Sequence, residues 1–333
     1  MVVQLTPTTL KSNFKFNRCQ QDDELDLRTI IESMLEVVAY SPSKAPAVFK
    51  NTSDALEKAI NEEVTSWYKG SSQDFAVLAD TTKKAVSTVQ YFYSRHAFEV
   101  KFVFGLYTWF FFYIDDNADW LPLEDYQRRH LFGESETEPG LRQFDKVLGR
   151  LYEHWDQLCA NTMVCAAFEF VTASVLEIKK EICEMKVQPT ALRWPTFLRA
   201  KSGMAPGFSC AIFPKHIHPD VAAYIQVLPD IDRFMCLVND VLSFYKEELA
   251  GETTNYVQLS ARIEQKHSHR VLVEMVQEVG ELHDRIAATL QEDPTALQAW
   301  LTFEYGYIAW HLALKRYKLS ELGVSQGDGE SEV

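Results

Sequence analysis

None of the six cysteines forms a Cys-x-x-Cys pair; they stand apart at Cys19, Cys159, Cys165, Cys183, Cys210 and Cys236. That dispersal gives neither a disulfide framework nor a zinc site, so buried free thiols are expected. No apolar run reaches the roughly 18 residues of a membrane-spanning helix. The longest, Phe102 to Ile114, is interrupted by Gly105 and Thr108 and runs into aspartates, so it reads as a buried helix. The chain does not open on a basic region followed by an apolar core, so no secretory signal is expected. A soluble, cytoplasmic protein is the expectation. Positive charge is also scarce: 33 Lys and Arg face 47 Asp and Glu, a formal charge of -14. This argues against nucleic acid or an anionic membrane as the main partner. An anionic substrate would meet a repulsive average field and would need divalent cations or a local basic site.

What is abundant is apolar and aromatic. Hydrophobic residues make up 47% of the 333 residues and aromatics 13%, enough to bury a core and still line a pocket. Apolar spacing of three and four dominates from Asp26 onward, and alternation with period two is rare. The pattern predicts helices over Leu27–Val38, Asp54–Tyr68, Ala76–Tyr93, His96–Ile114, Leu141–Leu158 and Val164–Met185. It predicts further helices over Trp194–Phe213, Asp220–Leu249 (interrupted or bent near Pro229), Arg262–Gln291 and Pro294–Leu322. Breakers fall at Ser41–Pro46, Gly70–Ser72 and Gly133–Gly140. Trp194–Phe213 is itself interrupted by Gly203, Pro206 and Gly207, either as a plain kink or as a break that exposes backbone groups to a cavity. The expected organisation is an extended arm over 1–22, one all-α domain over 23–322 with helices around a central cavity, and a disordered acidic tail over 323–333.

Asn239, Ser243 and Glu247 are spaced four apart, so on a helix they stack on one face. They offer a carbonyl oxygen, a hydroxyl and a carboxylate. An all-oxygen set suits a hard cation such as Mg2+ rather than zinc. Lys246, beside Glu247, can hold an anion that the metal also touches. A second acidic cluster lies upstream, Asp115-Asp116-x-x-Asp119. Asp115 and Asp119 would share a helix face with Asp116 beside them, and clustered carboxylates repel unless a cation sits among them. Alone, such a cluster is as readily a solvated helix end; paired with the second set, it reads as a metal site with ligands Asp115, Asp116, Asp119, Asn239, Ser243 and Glu247.

Near the C-terminus, Arg316 can grip phosphate oxygens with its fork and Tyr317 can donate a hydroxyl. In isolation a basic last turn simply complements the helix dipole. Aromatics lead into both clusters, from Phe102 to Tyr113 and from Phe303 to Trp310. Most must be ordinary core, but a share could line a pocket and stabilise a desolvated cation by about 2 kcal/mol or more. Together the pieces suggest metal-assisted loss of diphosphate under an apolar roof.

These motifs resemble those of class I terpene cyclases of the fungal trichodiene synthase type. The carrying residues are Asp115-Asp116-Asn117-Ala118-Asp119, Asn239 to Glu247, Trp194-Pro195-Thr196-Phe197-Leu198-Arg199, Gly306 to Leu312 and Lys315 to Glu321, in that family's order from roughly residue 90 to 322. The resemblance implies a single-domain class I terpenoid synthase helical bundle, three Mg2+ ions, and a prenyl diphosphate substrate, usually farnesyl diphosphate. It implies metal binding mainly through Asp115 in the first motif and through Asn239, Ser243 and Glu247 in the second. It further implies a diphosphate grip by Lys246, Arg316 and Tyr317, and often a homodimer. It also implies an arginine that senses diphosphate just before a helix break. Arg193 and Arg199 compete for that role, and Arg199 is the better match because Gly203 follows four residues later. Three outcomes remain open: a sesquiterpene cyclase, a relative that joins the cation to an external nucleophile such as an amine, or a binding protein that has lost catalysis.

Overall fold

Helical periodicity governs the computed structural model, which describes residues 25–70 and 75–324 and contains no strand among them. The chain runs α1 (Leu27–Val37), α2 (Lys50–Trp67), α3 (Phe75–Phe92), α4 (Phe98–Asn117), α5 (Tyr126–Phe132), α6 (Leu141–His154) and α7 (Gln157–Ile178). It continues through α8 (Lys180–Cys183), α9 (Trp194–Ser202), α10 (Ala205–Ala211), α11 (Leu228–Leu249), α12 (Tyr256–Glu264), α13 (Ser268–Leu290) and α14 (Pro294–Ala313). Surface helices follow a simple rule. In α1, Asp26 caps the first turn by accepting from the Thr29 N–H, and Leu27, Ile30, Ile31 and Met34 form the buried stripe. By contrast, α4 and α14 are apolar nearly all round and are buried accordingly.

Six helices close a ring, each touching the next: α3, α4, α7, α10, α11, α14 and back to α3. The ring is tight where its residues are small. A Cβ on Gly306 would collide with the Tyr91 carbonyl, so glycine lets α14 lie against α3. Its walls are aromatic, and Trp109, Trp155 and Trp300 are almost wholly buried. Truncating one such side chain to alanine costs about 3–5 kcal/mol. Among the described residues, α7 is long and apolar enough to cross a membrane, but half of its apolar window is buried in the bundle. It packs against α6, α9 and α10 as a core helix does.

Several expected boundaries are corrected. Asp220–Leu249 is not one helix: two 3₁₀ turns, Val221–Ala223 and Ile225–Val227, precede α11. Pro229 sits in the first turn of α11, where its missing N–H costs nothing, and so starts the helix rather than bending it. The helix predicted over Arg262–Gln291 is split, because α12 closes on Gln265 with left-handed φ 53° before α13 begins. The helix predicted to Leu322 stops at Ala313; the turns Lys315–Tyr317 and Leu319–Leu322 follow, hinged at Lys318 with φ 56°. The short α5 has no counterpart in the predicted pattern. The expected arm over 1–22 lies outside the described residues, as does the tail from 325. Where the described residues end, Gly323 takes φ 73°, and buried Val324 donates its N–H to the Leu319 carbonyl at 3.1 Å.

Candidate active site

The ring encloses a cavity of about 220 Å3. Its floor and walls are mostly aromatic: Phe92 from α3, Phe111 and Phe112 from α4, Phe170 from α7, Phe208 from α10, and Tyr307 and Trp310 from α14, with Thr88 and Thr108 among them. At its mouth stand Asp115, Arg199, Asn239, Arg316 and Tyr317. The mouth joins a second chamber of about 580 Å3 through shared Arg199, Ser202 and Asn239, and Glu247, Asp240 and Glu177 line that chamber. Residues far apart in the chain therefore converge on one opening.

The two metal motifs are placed differently. Asp115 stands in the last turn of α4 and faces the cavity; solvent reaches it from the mouth. Burial pushes its carboxyl up, Asp116 adds to the rise, and Arg316, Lys246 and Lys84 oppose it. Asp116 turns outward to Lys84 on α3, 2.8 Å away. The expected shared face of Asp115 and Asp119 does not form. The helix stops at Asn117, and a turn closed by the Trp120 N–H on the Asn117 carbonyl carries Asp119 to a separate pocket with Glu124, Arg129 and Lys179. So Asp115 lines the cavity while Asp116 and Asp119 do not.

In α11 the spacing of four does stack Asn239, Ser243 and Glu247. Asn239 Oδ1 accepts from Arg199 Nη2 at 2.9 Å. Ser243 is 1% exposed and its Oγ has no hydrogen-bond partner among the described residues. Glu247 Oε1 lies 3.7 Å from Lys246 Nζ. A buried, unmet hydroxyl costs about 1–3 kcal/mol and calls for an explanation. A divalent cation among these three oxygens would supply its missing partner, so the set fits Mg2+. No group of three or more His, Cys, Asp or Glu gathers as a metal cluster among the described residues. A cation here would depend on the mixed amide, hydroxyl and carboxylate set.

Basic groups complete the mouth. Lys246 Nζ and the Arg316 guanidinium lie 5.6 and 5.5 Å from the Tyr317 ring centroid. Arg316 is exposed and makes no ion pair among the described residues, which leaves its fork free for a ligand. Burial raises the Tyr317 hydroxyl to about 12, keeping it a donor.

Arg199 occupies the last full turn of α9, its Nε 2.7 Å from Asp240 Oδ1, while Arg193 caps the helix start and is exposed. Burial pulls Arg199 down, but Asp240 outweighs it and raises the guanidinium above its usual value. Burial pushes the Asp240 carboxyl up, and Arg199, which keeps its proton at any ordinary pH, restrains that rise. The break after α9 is real: Gly203 caps it, Met204 takes left-handed φ 52°, and Pro206 restarts the helix as α10. Within α10, the Phe208 carbonyl accepts from Tyr93 Oη at 2.7 Å.

Three residues with no assigned role enter the site. Asp240 holds Arg199. Glu177 lines the outer chamber, its carboxyl raised by burial and then by Asp115. His311 lines the cavity with its Nε2 3.0 Å from Asn239 Nδ2. A lone histidine in the apolar run Tyr307–Leu312 carries no sequence signal for such a contact; only the fold supplies it.

The family model for trichodiene synthase (TRI5) matches residues 48–333. The chain belongs to the trichodiene synthase family. It is 36% identical over 231 residues to terpene synthase BipA of Cochliobolus sativus, covering 68% of this chain and 71% of that protein. It is 32% identical over 246 residues to longiborneol synthase CLM1 of Gibberella zeae, covering 72% of each. An (E)-beta farnesene synthase of Metarhizium brunneum is 30% identical over 171 residues, covering 48% of this chain and 49% of that one. In fold the chain is similar to the linalool/nerolidol synthase of Streptomyces clavuligerus, solved in complex with 2-fluorogeranyl diphosphate. That match has TM-score 0.58 and 14% identity, over 80% of this chain and 96% of that one. A single-substitution variant of cucumene synthase gives TM-score 0.57 at 12% identity, over 80% of this chain and 97% of that one. This family member is therefore an all-α class I terpene synthase.

Proposed function

We propose that this terpene synthase is a Mg2+-dependent cyclase that ionises farnesyl diphosphate and closes the cation to a sesquiterpene. The observation that carries the reading is the polarity of one cavity: rich in aromatic side chains, with Asp115, Asn239, Arg199 and Arg316 at its mouth. The farnesene synthase among the relatives supports a farnesyl chain. The diphosphate analogue bound to a structural neighbour supports a diphosphate at the mouth.

When bound, Mg2+ supplies Lewis-acid neutralisation of the leaving diphosphate and a template for it. Asp115 of the first motif and Asn239, Ser243 and Glu247 of the second are the residues that would hold it. Arg316 presents a fork to phosphate oxygens, Lys246 a point charge and Tyr317 a hydroxyl. Arg199, released from Asn239, can reach the same anion. The aromatic walls keep water out and present ring faces to the cation, each worth about 2 kcal/mol when desolvated. The chain's part in catalysis is therefore to grip the leaving group and shield the cation.

The test is incubation with farnesyl diphosphate, with and without Mg2+, followed by product analysis by gas chromatography and mass spectrometry. Cyclic C15 products with diphosphate release, abolished by chelation, are expected. Turnover that ignores Mg2+, or products that form only when an amine or alcohol co-substrate is added, would overturn the reading.

A further inference from the structure

Asn239 is useful to a cation only through its oxygen, yet an amide can present either end. What decides the matter lies on α14. His311 Nδ1 is 2.8 Å from the Tyr307 carbonyl. A carbonyl only accepts, so Nδ1 carries the proton and Nε2 is a bare acceptor. That acceptor is 3.0 Å from the Asn239 amide nitrogen. On the opposite side, Arg199 Nη2 stands 2.9 Å from Asn239 Oδ1 and can only donate. Flipping the amide would set donor against donor at Arg199 and acceptor against acceptor at His311. Both neighbours therefore demand the same orientation.

The histidine is itself fixed. It is fully buried, with the rings of Tyr307, Trp310 and Tyr317 within 5 Å centroid to centroid. Tyr307 also donates its hydroxyl to the Met235 carbonyl at 2.9 Å, one turn before Asn239. Thus α14 grips α11 at two successive turns, first by backbone and then by the side chain of the proposed ligand. Nothing in packing alone requires the second contact.

We propose that His311 is a positioning residue, whose bare Nε2 holds the Asn239 amide N–H and so presents Asn239 Oδ1 to the cation; this rests on the Mg2+ reading above. Its hold on the cation runs through Asn239. Partners of this kind commonly change metal affinity about 10–100-fold when lost.

Two measurements test it. The first is ¹⁵N NMR of histidine-labelled protein, with the His311 signals assigned by their loss in His311→Phe. A neutral ring protonated at Nδ1 is expected; a proton on Nε2 overturns the inference whatever the metal does. The second is the rise in melting temperature produced by Mg2+ with inorganic diphosphate, titrated in Mg2+. His311→Phe should need about 10–100-fold more Mg2+ than the unaltered protein. His311→Gln, whose carboxamide can reach the Nε2 position, should recover most of that loss. Equal Mg2+ requirement in His311→Phe, or no recovery in His311→Gln, overturns the positioning role. A wild-type protein that shows no Mg2+ response at all would instead overturn the functional reading, while the tautomer measurement still judges the hydrogen bond.

Discussion

Arg199 Nη2 lies 2.9 Å from Asn239 Oδ1, the oxygen assigned to the cation. A divalent ion at that oxygen would repel the guanidinium beside it, so Arg199 is expected to turn away as the site fills. Asp240, 2.7 Å from Arg199 Nε, keeps the arginine's charge compensated while it waits. Arg199→Ala leaves the Asp240 carboxylate buried and unpaired, which should cost about 3–5 kcal/mol. Arg199→Ala/Asp240→Asn should regain most of that stability and none of the turnover. Urea unfolding and product assays on both variants separate the roles. Restored turnover in the double variant would show that Arg199 serves the fold alone.

Ser243 makes a sharper test, because its two expected effects have opposite signs. Its Oγ is buried and unmet. Ser243→Ala removes an orphaned polar group and should stabilise the metal-free protein by about 1 kcal/mol. It also removes a proposed ligand, so turnover at limiting Mg2+ should fall about 10–100-fold. Thermal unfolding with chelator, set beside a Mg2+ titration of activity, reads both. A destabilised variant with unchanged Mg2+ dependence would contradict the assignment.

Much of this site was legible in the chain because it depends on local spacing. Four-residue spacing fixes the face of Asn239, Ser243 and Glu247 once the segment is helical, and Gly203 with Pro206 marks a helix break by local sterics. Aromatic density pointed to an apolar cavity, though not to which rings line it. The failures are tertiary. Asp119 left the Asp115 face because the chain turns at Asn117, where the side chain accepts from Trp120 Nε1 and donates to the Tyr113 carbonyl. The end of α14 at Ala313 was hidden by continued apolar spacing through Leu319. His311 and Asp240 matter through what faces them across the bundle, and no spacing encodes that.

A buried pair away from the site gives a pH prediction. His283 Nδ1 is 2.7 Å from Glu304 Oε1 between α13 and α14. Burial works against the imidazolium, but the hydrogen bond and charge of Glu304 outweigh it and raise His283 above its ordinary 6.5. Its stabilisation is thus present below 6.5 and lost as pH rises through the folded value. Glu304 is raised by burial above its ordinary 4.5, so the folded state holds that proton longer than the unfolded chain and also loses stability as pH rises. Both signs agree. Urea unfolding should show lower stability at about pH 8 than at about pH 6, with a shallower decline in His283→Gln/Glu304→Gln. An unchanged slope in that variant would remove the pair from the account.

Gly203 tests the link between the helix break and the mouth. A Cβ there would stand 2.8 Å from the Arg199 carbonyl, 2.9 Å from Arg199 Nη1 and 3.0 Å from Cys236 Sγ. The backbone at Gly203 is ordinary, φ -76°, so alanine is not resisted by its torsions. The tightest of these contacts is backbone, so the last turn of α9 must shift, and the Arg199 side chain must shift with it. Gly203→Ala should therefore displace the guanidinium from Asn239 while the helices stay folded. The expected result is a far-ultraviolet circular dichroism spectrum like that of the parent, with weaker protection by Mg2+ and inorganic diphosphate against heat. Turnover of farnesyl diphosphate should fall with it, since a shift of about 1 Å in a positioning group can cost roughly 100-fold. Unaltered protection and turnover would mean that the break shapes the cavity wall without setting Arg199.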